Sequence, residues 1–274
     1  MSKTKSMIAR AFVYLGALIT FGALAFILVF IFINGVPHIS PDLFAWNYST
    51  ENVSLMPALI TTLYTIGGAL LISVPIGVFT SVYLVEYADR TKLIVKMIGM
   101  ATDTLAAVPS IVYGLFGFLF FVTFLETSFS LIAGILTMAI MTLPLIIRST
   151  EEALLSVGVP LRQASYALGA GKLRTIFNVV LPVAMPGILS GIILAIGRIM
   201  GESAALIYTL GSSTNLPSDI FGSGRTLAVH MYVLSNEGFH VNEAYATAVV
   251  LVFVVLFLNA TSTLISRKVA KGGK

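Results

Sequence analysis

Arg198 and Glu202 stand four residues apart in the stretch GRIMGESAA, inside a run that is otherwise apolar. A charge at the centre of a bilayer costs about 2.5–3.5 kcal/mol on insertion scales, so such residues face water, protein or cargo. On an unbroken helix this spacing sets both on one face. The planar guanidinium fork matches two oxygens of an anion such as phosphate. Gly197 and Gly201 thin the same region and permit close approach of a helix or an ion. Arg198 is therefore expected to contact an anion in a pathway, with Glu202 competing for the guanidinium and Ser203 beside them. A self-neutralising structural ion pair is the alternative. Ser110 is a further pathway candidate. With Gly114 and Gly117 it forms a small-residue face after Pro109, suited either to close helix packing or to lining a pathway.

A second constellation is the polar segment EEALLSVGVPLRQASYALGAGKLRTIFNVVLP, Glu151–Pro182. Its two leading acids suit a helix N-terminus, and Pro160 opens a second short helix. Leu161, Ala164, Ala167 and Leu168 keep helical spacing before Gly169 and Gly171 bend the chain. Arg162, Lys172 and Arg174 decorate this unit, and Pro182 and Pro186 mark the return to apolar sequence. A compact helical knob of this kind suits docking to a partner. GAGKL within it is not a phosphate-binding P-loop. The motif needs Gly where Tyr166 stands and Ser or Thr where Leu173 stands. Any nucleotide chemistry then belongs to another subunit.

The elements that must position these residues are membrane spans. The chain is 57% hydrophobic and 10% charged, with mean hydropathy +0.98. Soluble domains carry about 25% charged residues, and a helical span needs about 20 mainly apolar ones. Six spans are predicted, at about Ala11–Ile33, Pro57–Leu84, Leu93–Leu125, Leu131–Ile147, Pro186–Leu210 and Asn242–Ile265. The fold class is all-α integral membrane. Residues 1–274 read as one transmembrane domain, with a retained anchor at 11–33, a core at about 57–267 and a cytoplasmic loop at about 150–183. Pro75 and Pro109 are expected to kink their spans. Asp103 is expected at a helix interface or near the membrane surface.

Fourteen of the sixteen Lys and Arg residues fall on one side of this arrangement. They include Lys3, Lys5, Arg10, Arg90, Lys92 and Lys96, and the clusters after spans four and six. The positive-inside rule then makes both termini cytoplasmic, and the net charge of +4 is a topology signal; no nucleic acid is implied. The outer segment Asn34–Met56 holds the only tryptophan, Trp46, read as an interfacial anchor. The three histidines lie in outer loops without metal-ligand spacing and are read as ordinary loop residues. Cysteine is absent, and no nucleophile–base pair lies in the spans, which argues against a membrane-embedded enzyme. No clear internal repeat supports an ion-driven secondary transporter.

Gln163-Ala164-Ser165, three residues, Gly169, nine residues, Val179, one residue and Leu181-Pro182 resemble the EAA loop of ABC importer permeases. The family pattern is EAA-x3-G-x9-I-x-LP. Gln163 replaces its acid, Ser165 its second Ala and Val179 its Ile. VPSIVYGLFG at Val108–Gly117, GRIMGESAAL near the family's GRxxGETAPL, and PIGVFTSVYLVEYA at Pro75–Ala88 are similar to stretches of phosphate permeases. The resemblance covers roughly Pro57 to Leu210. It implies a MetI-like architecture in which Arg162, Gln163, Ala164, Ser165, Gly169, Lys172, Leu181 and Pro182 form the coupling helix region that docks on an ATPase. It implies no cofactor in this chain, ATP and Mg²⁺ being used by the ATPase. It further implies a homologous PstC-like permease, two PstB-like ATPases, a PstS-like extracytoplasmic binding protein, and residence in a bacterial or archaeal plasma membrane. The short N-terminus and YLVEYA resemble PstA-type subunits. A PstC-type subunit, or a permease for another oxyanion such as sulfate or molybdate, is the alternative.

Site-directed reporters test the topology. Reporters at Ser2, Lys172 and Lys274 are expected to be cytoplasmic, and those at Ser49 and Ser223 external. An external reporter at Lys274 would show the span count to be wrong.

Overall fold

The computed structural model describes residues 3–89 and 91–272. Arg90, Ser2 and Lys274, used above in the topology argument, lie outside the described residues. Eleven α-helices follow in chain order: α1 Lys3–Gly35, α2 Met56–Val82, α3 Leu93–Ala107, α4 Ser110–Gly117, α5 Leu131–Ser156, α6 Val159–Ala167, α7 Lys172–Thr175, α8 Leu181–Met200, α9 Ala204–Thr209, α10 Leu227–Glu237 and α11 Val241–Gly272. Wide π-type turns extend α2 through Tyr83–Tyr87 and α4 through Phe118–Phe124, and another joins α7 to α8 through Ile176–Val180.

Five helical runs are long and apolar enough to cross a membrane: Arg10–His38, Met56–Tyr87, Leu131–Ser156, Lys172–Met200 and Val241–Leu264. Leu93–Ala107 and Ser110–Phe124 make a sixth if taken together, but they meet at a bend of 102°. The expected third span is therefore broken. Pro109 lacks an N–H and forces the residue before it out of the helical region. Val108 and Pro109 are both extended, with ψ of 131° and 143°. Pro75, by contrast, sits inside an uninterrupted α2. The expected fifth span also differs. It begins further back, at Lys172, and breaks after Met200, so Gly201–Ser203 separate α8 from α9.

The most buried span is α5, which α2 and α8 flank. Small residues allow the approach. A side chain at Gly191 would collide with Ser149 of α5, and Ser81 of α2 donates to the Ile147 carbonyl of α5 at 2.9 Å. The main apolar cluster joins Ile66, Met138, Met141, Ile199, Met200 and Leu206. Each fully buried side chain of this size contributes about 1.5–3 kcal/mol. α1 lies outside this core, touching α11 through Phe30 on Tyr245 and Phe32 on Phe253.

At the end of the bundle opposite α6, residues 39–55 fold over α10. Leu43, Leu55, Ala58 and Leu227 pack together there, and the Leu227 amide donates to the Thr62 hydroxyl at 2.9 Å. The reading of every histidine as an ordinary loop residue fails here, because His230 is fully buried on α10. Its ring meets Tyr48 edge-on at 6.3 Å, and the buried Arg225 guanidinium lies 4.9 Å from the Tyr48 ring centre. Burial pushes Arg225 below its ordinary value, and Tyr48 and Glu237 oppose that shift. Burial first, and then the Arg225 charge, push His230 down to about 3 from an ordinary 6.5.

The sign of the resulting pH dependence follows directly. The folded-state value lies below the ordinary one, so neutral His230 stabilises this region fully above about pH 6.5, and the contribution fades as pH falls towards about 3. Between pH 6.5 and 5 the loss is about 2 kcal/mol. Fluorescence anisotropy of Trp46, the single tryptophan, is expected to fall on acidification through that window as residues 39–55 loosen. His230→Phe, which cannot titrate, is expected to move the fall to lower pH.

Candidate functional site

The two breaks in the spans face each other. Gly114, one turn into α4, packs against α9 so closely that a Cβ there would lie 2.7 Å from the Ala205 Cα. Gly117 meets Thr137 of α5 and Thr209 of α9 in the same way. The small-residue face after Pro109 is thus a close-packing surface at these two positions. The Tyr113 hydroxyl reaches back across the bend and donates to the Leu105 carbonyl at 2.8 Å. Arg198 lies within electrostatic reach of that hydroxyl.

Arg198 occupies the last turn of α8 and its side chain is exposed. Glu202 is buried, at 9% exposure. The expected one-face pair is not formed. The helix stops at Met200, Gly201 turns the chain, and Glu202 lies in the break, two residues before α9. Its Oε1 accepts from the Ala205 amide at 3.1 Å, capping α9. A carboxylate so placed satisfies an N–H that the helix itself leaves free. Among the described residues no ion pair joins Arg198 to Glu202, so the guanidinium stands alone on its face. Ser203 is half-buried and lines two adjoining cavities. Ser110, also half-buried, begins α4 next to Ile111, which lines the smaller one. The four expected pathway residues therefore gather around the two breaks, except that Glu202 turns inward.

The loop at the other end of the bundle is a helical hairpin of α6 and α7. Arg162, expected to decorate it, points inward. Its Nη2 and Nε donate to Glu86 at 2.7 and 3.1 Å, and Nη2 also donates to the Leu154 carbonyl at 2.9 Å. Only 7% of the Glu86 side chain and 15% of the Arg162 side chain are exposed. This pair clamps α6 to the end of α2. Lys172 lies 4.4 Å from the Tyr87 ring centre, a second tie to the same segment. Ser165 exchanges a hydrogen bond with Thr175 at 2.9 Å, joining α6 to α7.

Gly169 adopts φ of +80°. Its amide donates to the Tyr166 carbonyl at 2.9 Å and the Ala170 amide to the Ser165 carbonyl at 3.1 Å. This is the Schellman pattern that ends helices on a left-handed glycine. Leu181 and Pro182 form the first turn of α8, Leu181 packed against the cluster of Ile176, Val180 and Ala184. What remains outward are Gln163 and Ala164, together with Leu161, Tyr166 and Leu168, the last 89% exposed. An outward face this apolar is of the kind found at interaction sites.

Elsewhere Asp103, expected at a helix interface, pairs with Arg148 of α5, whose Nη1 also meets Glu151 at 3.0 Å. No cluster of potential metal ligands occurs among the described residues.

A hairpin clamped beneath a helical bundle is a shared architecture. Residues 73–272 match the model of the family described as binding-protein-dependent transport system inner membrane component. The chain belongs to that family. A relative from Bacillus subtilis named probable ABC transporter permease protein YqgI is 35% identical over 254 residues, 84% of each chain. The phosphate transport system permease protein PstA of Haemophilus influenzae is 33% identical over 261 residues, covering 94% of this chain and 92% of that one. PstA 1 of Mycobacterium tuberculosis is 36% identical over 230 residues, 80% and 75% of the two chains. Among solved structures, a bacterial alginate ABC transporter chain superposes with TM-score 0.72 at 14% identity, over 98% of this chain and 96% of that one. A chain of the MetNI methionine ABC transporter gives 0.60 at 22%, over 78% and 94%. The fold is that of ABC importer permeases, membrane subunits that are not themselves enzymes. Such permeases work with ATPase and binding-protein partners.

The clamp yields a test. Removing one member of a buried ion pair costs about 3–5 kcal/mol. Arg162→Leu is expected to speed hydrogen exchange across Val159–Ala167 about a hundredfold or more. The double variant Glu86→Leu/Arg162→Leu, which leaves no stranded charge, is expected to recover most of the protection.

Proposed function

We propose that this chain is the PstA-type permease of an ATP-driven phosphate importer and lines the phosphate pathway together with a homologous PstC-like permease. The observation that carries the reading is the lone Arg198 guanidinium where two broken spans meet. A planar fork without a competing carboxylate suits a tetrahedral oxyanion. Relatives at 33–36% identity that bear the PstA name support phosphate over sulfate or molybdate, and PstA over PstC. One of two PstB-like ATPases docks on the outward face of α6, the other on the homologous permease; they supply the ATP and Mg²⁺ chemistry, and this chain binds no cofactor. A PstS-like protein delivers phosphate at the opposite end. The membrane is a bacterial or archaeal plasma membrane, with both termini cytoplasmic.

In this mechanism Arg198 attracts the anion and Ser203 and Ser110 hydrate it. Glu202 acts on the backbone. By capping α9 it keeps the break open and leaves the guanidinium free. Gln163 and Ala164 touch the ATPase, while Arg162, Ser165, Gly169, Lys172, Leu181 and Pro182 hold the hairpin in shape.

Phosphate uptake at matched membrane abundance tests this. Arg198→Gln removes a charge-assisted contact worth about 1.5–3 kcal/mol and is expected to lower uptake about tenfold to a hundredfold, with ATPase assembly intact. Arg198→Lys is expected to fall between, since an ammonium keeps the charge and loses the fork. Wild-type uptake by Arg198→Gln would exclude this role for the arginine.

A further inference from the structure

Beside the span breaks lie two cavities, of about 170 and 490 Å³, which share Ser203 and Tyr232. The smaller is lined by Ile111, Ser203, Ala204, Ile207, Tyr208 and Tyr232. Tyr208 is 37% exposed and Tyr232 48%. None of the six residues carries a formal charge, yet three bring hydroxyls. Tyr232 comes from α10, which is not a membrane span and belongs to none of the motifs quoted above.

We propose that this cavity is a neutral phosphate subsite, in which Tyr208 and Tyr232 hold the anion one step away from Arg198. The proposal rests on the phosphate reading above and adds residues and a selectivity mechanism to it. Unwound backbone at membrane depth persists only where protein buries it or a water-filled cavity meets it. Gly201 is exposed and Ser203 lines both cavities, so water reaches this break. An anion attracted by Arg198 then has a hydrated place to go.

The chemistry of the lining suits transit. A hydroxyl both donates and accepts. Hydrogen phosphate offers unprotonated oxygens, which accept, and a P–OH, which donates. Sulfate at neutral pH only accepts. Glu202 turns its Oε1 to the Ala205 amide and does not line this cavity, so the acceptor for the P–OH there is a tyrosine or serine hydroxyl. A hydroxyl carries no formal charge, so it holds the anion less strongly than a guanidinium fork does, and the anion can leave.

The chain contains no cysteine, which permits a direct test. Ile111→Cys places one thiol in the cavity lining. Membranes carrying the assembled importer are treated with a water-soluble methanethiosulfonate, with and without inorganic phosphate. Labelling is expected, phosphate is expected to slow it, and sulfate at equal concentration is expected to slow it much less. In the Tyr208→Phe/Tyr232→Phe background, which keeps both rings and their packing, the phosphate concentration that protects is expected to rise at least fivefold. Phe239→Cys, at a site 88% exposed on the loop after α10, is the control and is expected to label at one rate throughout. An unlabelled Ile111→Cys, labelling that ignores phosphate, equal protection by sulfate, or protection unchanged in the double variant would each overturn the subsite. Wild-type vesicles that take up no phosphate would overturn the phosphate reading itself, and the subsite with it. Normal uptake with any of the four labelling failures overturns the subsite alone.

Discussion

Lipid offers a peptide group no hydrogen bond, and the rest of this molecule is arranged around that fact. A helix that stops inside the membrane leaves N–H and C=O groups that something else must satisfy. Two spans stop here, at Val108–Pro109 and at Gly201–Ser203. The protein answers with its own side chains. The Tyr113 hydroxyl takes up the Leu105 carbonyl, and the Glu202 carboxylate takes up the Ala205 amide. Gly114 and Gly117 bring α4 against α9, so that the two interruptions share one place. The exposed guanidinium and the hydroxyl-lined cavity are both by-products of that arrangement.

The same economy governs the hairpin at the far end. Its conspicuous basic residues are mostly internal fasteners. Arg162 is neutralised by Glu86, and Lys172 rests on Tyr87. The groups left outward include the apolar Leu161, Tyr166 and Leu168 beside the polar Gln163 and Arg174. In the hairpin, the charge of Arg162 serves mainly to fix the shape.

Much of this was legible in the sequence. Hydropathy located five spans and the bent pair that makes a sixth if taken together, because about 20 apolar residues in a row have few other uses. The Gly169 spacing marked a helix end, because only glycine takes a left-handed conformation without strain. Three features were not legible. The break after Met200 depends on Glu202 preferring a backbone amide to Arg198, a choice that residue spacing does not reveal. Arg162 looks like any surface cation until Glu86, distant in sequence, folds against it. His230 sits in the short apolar run LAVHMYVL inside an otherwise Ser-, Gly- and Asn-rich segment, and its burial follows from residues 39–55 closing over α10, a long-range contact; Tyr232 is placed beside Ser203 by long-range packing too. Pro75 stays inside an uninterrupted α2, whereas at Pro109 the helix breaks, because Val108 and Pro109 are both extended.

The clamp between Glu86 and Arg162 has a mechanical meaning. Consider a thrust applied to α6. The ion pair passes it to the end of α2, and α2 is packed along α5, which is packed along α8. These members are stiff and in series, so little of the stroke is absorbed in them. α3 is different: it packs chiefly along α5 and is tied there by Arg148 and Asp103, with a right-angled elbow at its far end. In a loaded linkage, displacement collects at the most compliant joint. That joint is the elbow at Pro109, and it stands beside Arg198, so a thrust that begins some 30 Å away along the spans is released as movement beside the Arg198 guanidinium.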